Sequence, residues 1–362
     1  MHSDVRFGLP IVKKFTNKYM LIESDEIAEI NNKIKIYDEK FKIREKEIMT
    51  FEGDLEIAEK GGFEHFMLKE IHEQSTVFKN ASLPFLKFGL ESLLKYDFSK
   101  YTSIDIIGCG SAYHAGLVGK NLIENYGMKV NVYMASEYRY QKVFTNKNSL
   151  VILISQSGET ADTLACLRKV KKMDINTLAL VNVVDSSIAR EADNTIYIKA
   201  GPEISVATTK AYFAQVVILG LISLNIGYSK QLINDEEITS ILKSYDNFPE
   251  IIKKVINFDY KEIAEKIYKH NTCFFIGRLM DYSLVMEGAL KLKEISYINS
   301  NAYPAGELKH GTISLLEKNT PVISLITEKE IAKKTISNIK EVKARDAKSI
   351  LITTEEIDKE FE

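Results

Sequence analysis

One pattern occurs twice in this 362-residue chain. An apolar run closed by glycine, Ile104-Asp105-Ile106-Ile107-Gly108, returns as Thr272-Cys273-Phe274-Phe275-Ile276-Gly277. The next apolar run, Leu150 to Ile154, returns as Pro321 to Ile326. Helical periodicity follows both, over Thr160 to Met173 and Ile331 to Ala344. A further short run closes each set, Thr177 to Leu180 and Ser349 to Ile352. Short apolar runs alternating with helices imply a mostly parallel sheet covered on both faces. Two copies of one such unit predict an α/β chain of two tandem, doubly wound domains rather than one large sheet.

The copies are unequal. The first continues through strands at Leu178 to Val183 and Thr195 to Ile198 and a long helix from Thr208 to Leu224. The second ends soon after its third run, so it is expected to be truncated, leaving a bare sheet edge. On that reading the chain is a fragment, or something else covers the edge. Residues 1–60 differ again. Lys18 to Ile22, Ile27 to Ile30 and Lys33 to Tyr37 alternate apolar and polar, with Glu23-Ser24-Asp25 and Asn31-Asn32 between them. They predict short antiparallel strands, the tail of another domain plus a linker. The expected division is 1–60, 61–240 and 241–362.

Composition narrows the partners. A net charge of −2 gives no reason to expect nucleic acid. The apolar stretch from Val216 to Leu224 is short of the ~20 residues of a membrane span, and charged residues appear at once at the N-terminus. Neither a membrane partner nor a signal peptide is therefore expected. Cys109, Cys166 and Cys273 make no CxxC pair, which fits a reducing cytoplasm. No His/Cys/carboxylate group has metal-ligand spacing, so no metal and no cofactor are expected.

Two segments could carry chemistry. Ser155-Gln156-Ser157-Gly158-Glu159-Thr160 joins the run ending at Ile154 to a helix beginning near Ala161. Strand, hydroxyl-rich loop and helix start form an anion site, because the first N–H groups of a helix lack partners and carry partial positive charge. The plainer alternative is an ordinary N-cap. The second copy has Thr327-Glu328-Lys329-Glu330 there, so only the first is expected to hold phosphate. Across the turn, Cys109-Gly110-Ser111 excludes a dinucleotide fingerprint, since Tyr113 stands where GxGxxG needs glycine.

In the second copy Glu287, Lys291 and Glu294 lie at i, i+4 and i+7, on one helix face. They form either a solvated face of ordinary ion pairs or a carboxylate base beside a cation that tunes it. Downstream, Pro304 and Gly306 mark a turn leading to His310, a residue type suited to proton shuttling.

Together these segments resemble the sugar isomerase (SIS) domain pair of the glucosamine-6-phosphate synthase family. The resemblance runs from about Phe63 to Ala344 and rests on several blocks: Phe66 to Ile71, Cys109 to Ser111, Ser136 to Tyr140, Ser155 to Thr160, Ser187 to Asp193, Ala200 to Glu203, Glu287 to Tyr297 and Ala305 to Gly311. It implies that Ser155, Gln156, Ser157 and Thr160 bind the 6-phosphate of fructose 6-phosphate. It implies that Cys109, Gly110, Ser111, Val206, Ala207 and Thr208 line the rest of the pocket. Glu294 would move a proton between C1 and C2, Lys291 would assist, and His310, from a neighbouring subunit, would open the sugar ring. A homodimer making glucosamine 6-phosphate follows. In this comparison the glutaminase domain is reduced to its last strands, the tail with its imine-forming lysine is missing, and Ala112 replaces a common hydroxyl residue. Two rivals share the loop. Another SIS isomerase or deaminase would not need the glutaminase remnant, and a sugar-phosphate-binding regulator would need neither Glu294 nor His310.

Overall fold

The computed structural model describes residues 16–20, 22, 26–31, 33–50, 60–142, 146–354 and 356–358. Two compact units contain them, residues 1–69 and residues 70–362. In the first, β1 (Lys18–Tyr19) pairs antiparallel with β5 (Met49–Thr50), and β2 (Ile27–Ile30), β3 (Ile34–Tyr37) and β4 (Ile43–Arg44) form an antiparallel meander. The expected turn at Glu23, Ser24 and Asp25, with Asn32, lies outside the described residues.

The second unit holds two parallel sheets. The first comprises β6 (Ser103–Gly108), β7 (Lys129–Met134), β8 (Ser149–Ser155), β9 (Asn176–Val181) and β10 (Asn194–Tyr197), in spatial order β10-β9-β8-β6-β7. The second comprises β11 (Thr272–Gly277), β12 (Asn299–Pro304), β13 (Pro321–Ile326) and β14 (Lys348–Thr353), in order β12-β11-β13-β14. The common order of four strands is the sequence repeat in three dimensions. Among the described residues the second sheet has four strands against the first sheet's five.

The central strands are mostly apolar because both faces are covered, with Asp105 of β6 a buried exception hydrogen-bonded to Asn131 at 2.8 Å. Ile104, Ile106, Ile107, Val151, Ile152, Leu153 and Ile154 are fully buried. β12 escapes sequence reading for the opposite reason. It lies at an edge, reads Asn-Ser-Asn-Ala-Tyr-Pro, and ends in a proline that an edge tolerates.

The helix Lys210–Ser229 is longer than the sequence run suggested, at 20 residues. By length and composition alone it could cross a membrane, the one such helix among the described residues. In this fold it packs against the Ser111–Glu124 and Gln74–Leu86 helices, and Ile218, Leu219, Leu221, Ile222 and Ile226 have no exposed surface. A helix apolar all round is what a core position demands.

The repeat reaches backbone detail. Gly110 precedes the Ser111–Glu124 helix with φ 54° and ψ −124°. Leu279 precedes the Met280–Ser296 helix with φ 50° and ψ −120°. Glycine adopts this conformation freely, while a side chain there costs about 1–3 kcal/mol. The second copy keeps the turn at the expense of strain in Leu279.

Candidate active site

Because β6 and β8 are parallel neighbours, their C-terminal ends bring residues 109–111 and 155–160 to one edge. Connections from β6 lead to one side, to β7, and from β8 to the other, to β9, so this edge is the topological switch point where open α/β sheets bind ligands.

The loop after β8 is held open by its own hydroxyls. Ser155 is buried, and its Oγ accepts the Gly158 N–H at 3.0 Å and lies 2.9 Å from Thr160 Oγ1. Ser157 Oγ accepts the Glu159 N–H at 3.1 Å. Gly158 turns the chain at φ 69°. Thr160 precedes the Ala161–Lys171 helix without its side chain capping it, which leaves the helix N-terminus free of a side-chain cap. The plain N-cap alternative is therefore not what forms. Asp162 in the first turn would repel an anion, but Arg139 pairs with it at 2.5 Å. Gln156 is half-buried beside these hydroxyls, and its carbonyl accepts the Asn182 N–H at 3.1 Å.

Asn182 also reaches the third segment. Its Nδ2 donates to Gly201 O at 2.6 Å and its Oδ1 accepts the Ala200 N–H at 2.9 Å. Two carboxylates then shape residues 203–209. Glu203 Oε1 accepts the Thr209 N–H at 2.8 Å and the Ala211 N–H at 3.2 Å, and its Oε2 accepts the Thr208 hydroxyl. Glu70 accepts the Ile204 N–H at 2.6 Å and the Ser205 N–H at 3.1 Å. Burial nevertheless pushes the Glu70 carboxyl above its usual range. Ala207 is buried at the base of this segment, whereas the side chain of Val206 is fully exposed.

Cys109 is half-buried, with Sγ 4.0 Å from Thr163 Oγ1. Burial pushes Cys166 and Cys273 up to about 12, so neither is a ready nucleophile. Among the described residues no group of three or more His, Cys, Asp or Glu side chains could hold a metal ion.

The helix Met280–Ser296 packs against Ser111–Glu124 and carries the acidic line to the same region. The solvated-face alternative fails at its first member, since the Glu287 side chain is 7% exposed. Its Oε1 accepts Ser111 Oγ at 2.7 Å, and its Oε2 lies 2.7 Å from His114 Nδ1. Lys291 Nζ lies 3.4 Å from Glu287 and 2.5 Å from Glu294. Glu294 is the most open of the three, with its side chain 34% exposed. His310 is exposed in the turn after β12, its N–H donating to Glu307 O at 3.0 Å. Among the described residues no hydrogen bond or ion pair joins it to Glu294. His114 and Asn182 lie outside the blocks of resemblance, and Glu70 and Glu203 lie inside them without a role, because no spacing links any of the four to the loops they hold.

At the equivalent edge of the second sheet, the Thr327 N–H and hydroxyl both donate to Asp281, at 2.9 and 2.5 Å. Burial and then the charge of Asp281 raise the Glu328 carboxyl. A carboxylate already occupies the donors that a phosphate would use.

Two repeated parallel sheets, with an uncapped helix behind a hydroxyl loop at one switch point, define a tandem α/β protein of the ligand-binding doubly wound class. The SIS domain family matches residues 97–224 and 266–359. The C-terminal domain of glucosamine-fructose-6-phosphate aminotransferase from Francisella tularensis superposes with a TM-score of 0.79 at 38% identity, covering 84% of this chain and 88% of that one. The chain belongs to the SIS-domain family, in the branch of the glutamine–fructose-6-phosphate aminotransferases. The isomerising glutamine–fructose-6-phosphate aminotransferase of Clostridium tetani is 44% identical over 96% of this chain. This chain spans 59% of that relative's length. A glucosamine-6-phosphate deaminase from Thermotoga maritima, 23% identical with a TM-score of 0.64 over 80% of this chain and 85% of its own, shares the fold.

Proposed function

We propose that this chain is the isomerase part of an isomerising glutamine–fructose-6-phosphate aminotransferase. It binds fructose 6-phosphate and converts ketose to aldose on the way to glucosamine 6-phosphate. The observation that carries this reading is the Lys291 ammonium at 2.5 Å from Glu294, on a helix anchored through Glu287 to Ser111 beside the loop.

The phosphate sits on the Ala161–Lys171 helix N-terminus, held by Gln156, Ser157 and Thr160, with Ser155 shaping the loop from beneath. Cys109, Gly110 and Ser111 face it across the switch point, and the 206–208 segment completes the wall. Remote binding of the phosphate orients C1 and C2 against Glu294. The Glu294 carboxylate takes the proton from C1, the C–H pair becomes the C1–C2 double bond, and the carbonyl pair moves to O2. Lys291 stabilises the negative charge that develops. The O1 proton passes to O2, the C1 carbonyl forms as the double-bond pair takes the proton back from Glu294 at C2, and the aldose results with Glu294 again ionised. In the aminotransferase the same transfer acts on the aminated sugar.

His310 is exposed and fits a ring-opening role supplied across a homodimer. Sedimentation as a single 41.1 kDa chain at assay concentrations would remove that supply. The half-buried and buried free thiols are in keeping with a reducing cytoplasm.

Titration calorimetry with fructose 6-phosphate tests the binding half. The native chain is expected to take one ligand per chain, because Asp281 occupies the second switch point. Ser157→Ala with Thr160→Ala is expected to weaken binding about 100-fold, the loss of two hydrogen bonds to a charged group at the low end of their range, about 3 kcal/mol in all. Unchanged affinity, or two ligands per chain, would sink the phosphate assignment.

A further inference from the structure

We infer that His114 is a positioning residue for the Lys291–Glu294 pair, acting through Glu287. Glu287 is a buried carboxylate, and such a group is tolerated only when it is paired and hydrogen-bonded. Ser111 and His114 meet its two oxygens at 2.7 Å each, both from the first turn of the Ser111–Glu124 helix. That helix end adds partial positive charge. An ionised carboxylate only accepts, so the His114 Nδ1–H donates. Asn121 Nδ2 meets Ser283 Oγ at 3.3 Å further along the same two helices, fixing their register.

Lys291 has two carboxylates within reach, and the distances differ. It lies at 2.5 Å from Glu294 and 3.4 Å from Glu287. Glu287 is the more buried of the two, and a desolvated charge would attract the ammonium more strongly if nothing else met it. The bonds from Ser111 and His114 meet it. They leave the ammonium beside Glu294, the residue that contacts substrate in the proposed reaction. Without the His114 donor, Oε2 of Glu287 is bare and Lys291 is drawn away from Glu294.

The catalytic meaning of this arrangement rests on the proposed isomerase reading, whereas the side-chain geometry does not. The test uses His114→Phe, which keeps the ring volume without a donor, and His114→Asn, which keeps a side-chain N–H. His114→Phe is expected to lower kcat for fructose 6-phosphate to glucose 6-phosphate about 10- to 100-fold, the effect of one charge-assisted hydrogen bond, with KM within about 3-fold. His114→Asn is expected to recover most of kcat. Adding Glu287→Gln to His114→Phe removes the bare charge and is expected to raise kcat above that of His114→Phe alone. A crystal structure of His114→Phe is expected to show Lys291 moved to Glu287. Native kcat in His114→Phe, an equal deficit in His114→Asn, or Lys291 still on Glu294 would each overturn the inference. If the native chain does not isomerise the sugar, the isomerase reading fails and the crystal structure alone decides this one. If His114→Phe does not fold, the structure and kcat of His114→Ala decide by the same criteria.

Discussion

Glu294→Gln is expected to bind fructose 6-phosphate as tightly as the native chain while isomerising it about 10³-fold more slowly, within the range for loss of a general base. The amide has nearly the shape of the carboxylate but cannot take a proton from C1. Lys291 loses its partner at 2.5 Å yet keeps Glu287 at 3.4 Å, so the helix face holds together. The deficit amounts to about 4 kcal/mol of barrier. Calorimetry for binding and a coupled assay for glucose 6-phosphate separate the two quantities. A variant that isomerises at the native rate would show that another group is the base. One that loses binding equally would show that Glu294 holds the sugar rather than moving its proton.

Gly158→Ala is the second large effect, and it acts on the loop rather than the chemistry. Gly158 sits at φ 69°, and a Cβ there would lie 2.0 Å from Ser186 Oγ and 2.5 Å from Ser186 Cβ. Rotating Ser186 relieves the first contact and not the second. Nor can the backbone retreat easily, because Gly158 O accepts the Ile188 N–H at 3.0 Å and Glu159 Oε1 accepts the Ser187 N–H at 2.6 Å. The left-handed conformation costs about 1–2 kcal/mol and overpacking about 1–3, so about 3 kcal/mol is expected in all. If binding requires the native loop, fructose 6-phosphate affinity falls about 100-fold. Gly127→Ala is the control. It has φ 67° with nothing within 4 Å of the added Cβ, so it should lose some stability and no affinity. Equal affinity in Gly158→Ala and the native chain would mean that the loop does not hold the ligand.

The two experiments draw on parts of the site that were unequally legible. The 155–160 loop could be read because its logic is local. Strand, hydroxyls, glycine and helix start follow one another within a dozen residues, and the structure adds only how the hydroxyls are tied. Glu287, Lys291 and Glu294 could be placed on one face by spacing alone. Their environment could not, since Ser111 and Glu287 are 176 positions apart and a surface ion-pair pattern has the same spacing as a buried one. The fold shows the same division. Central strands announce themselves because both faces are apolar, while β12, polar and ending in Pro304 at an edge, does not. Helix Lys210–Ser229 was readable as a helix, but its full length emerged only from what surrounds it.

By itself the sequence determined the repeat, the α/β class, the order of most elements and the identity of the loop at the first switch point. These follow from periodicity and from backbone groups that must be satisfied within a few residues. Tertiary structure alone decided which residues hold the site in shape. It placed Asn182 between two loops, seated Asp281 on Thr327 in the second copy, and set His114 and Ser111 on Glu287. Such contacts form only when distant helices pack. Their energy depends on burial, which turns a charged residue that spacing would leave in water into a fixed point of the site.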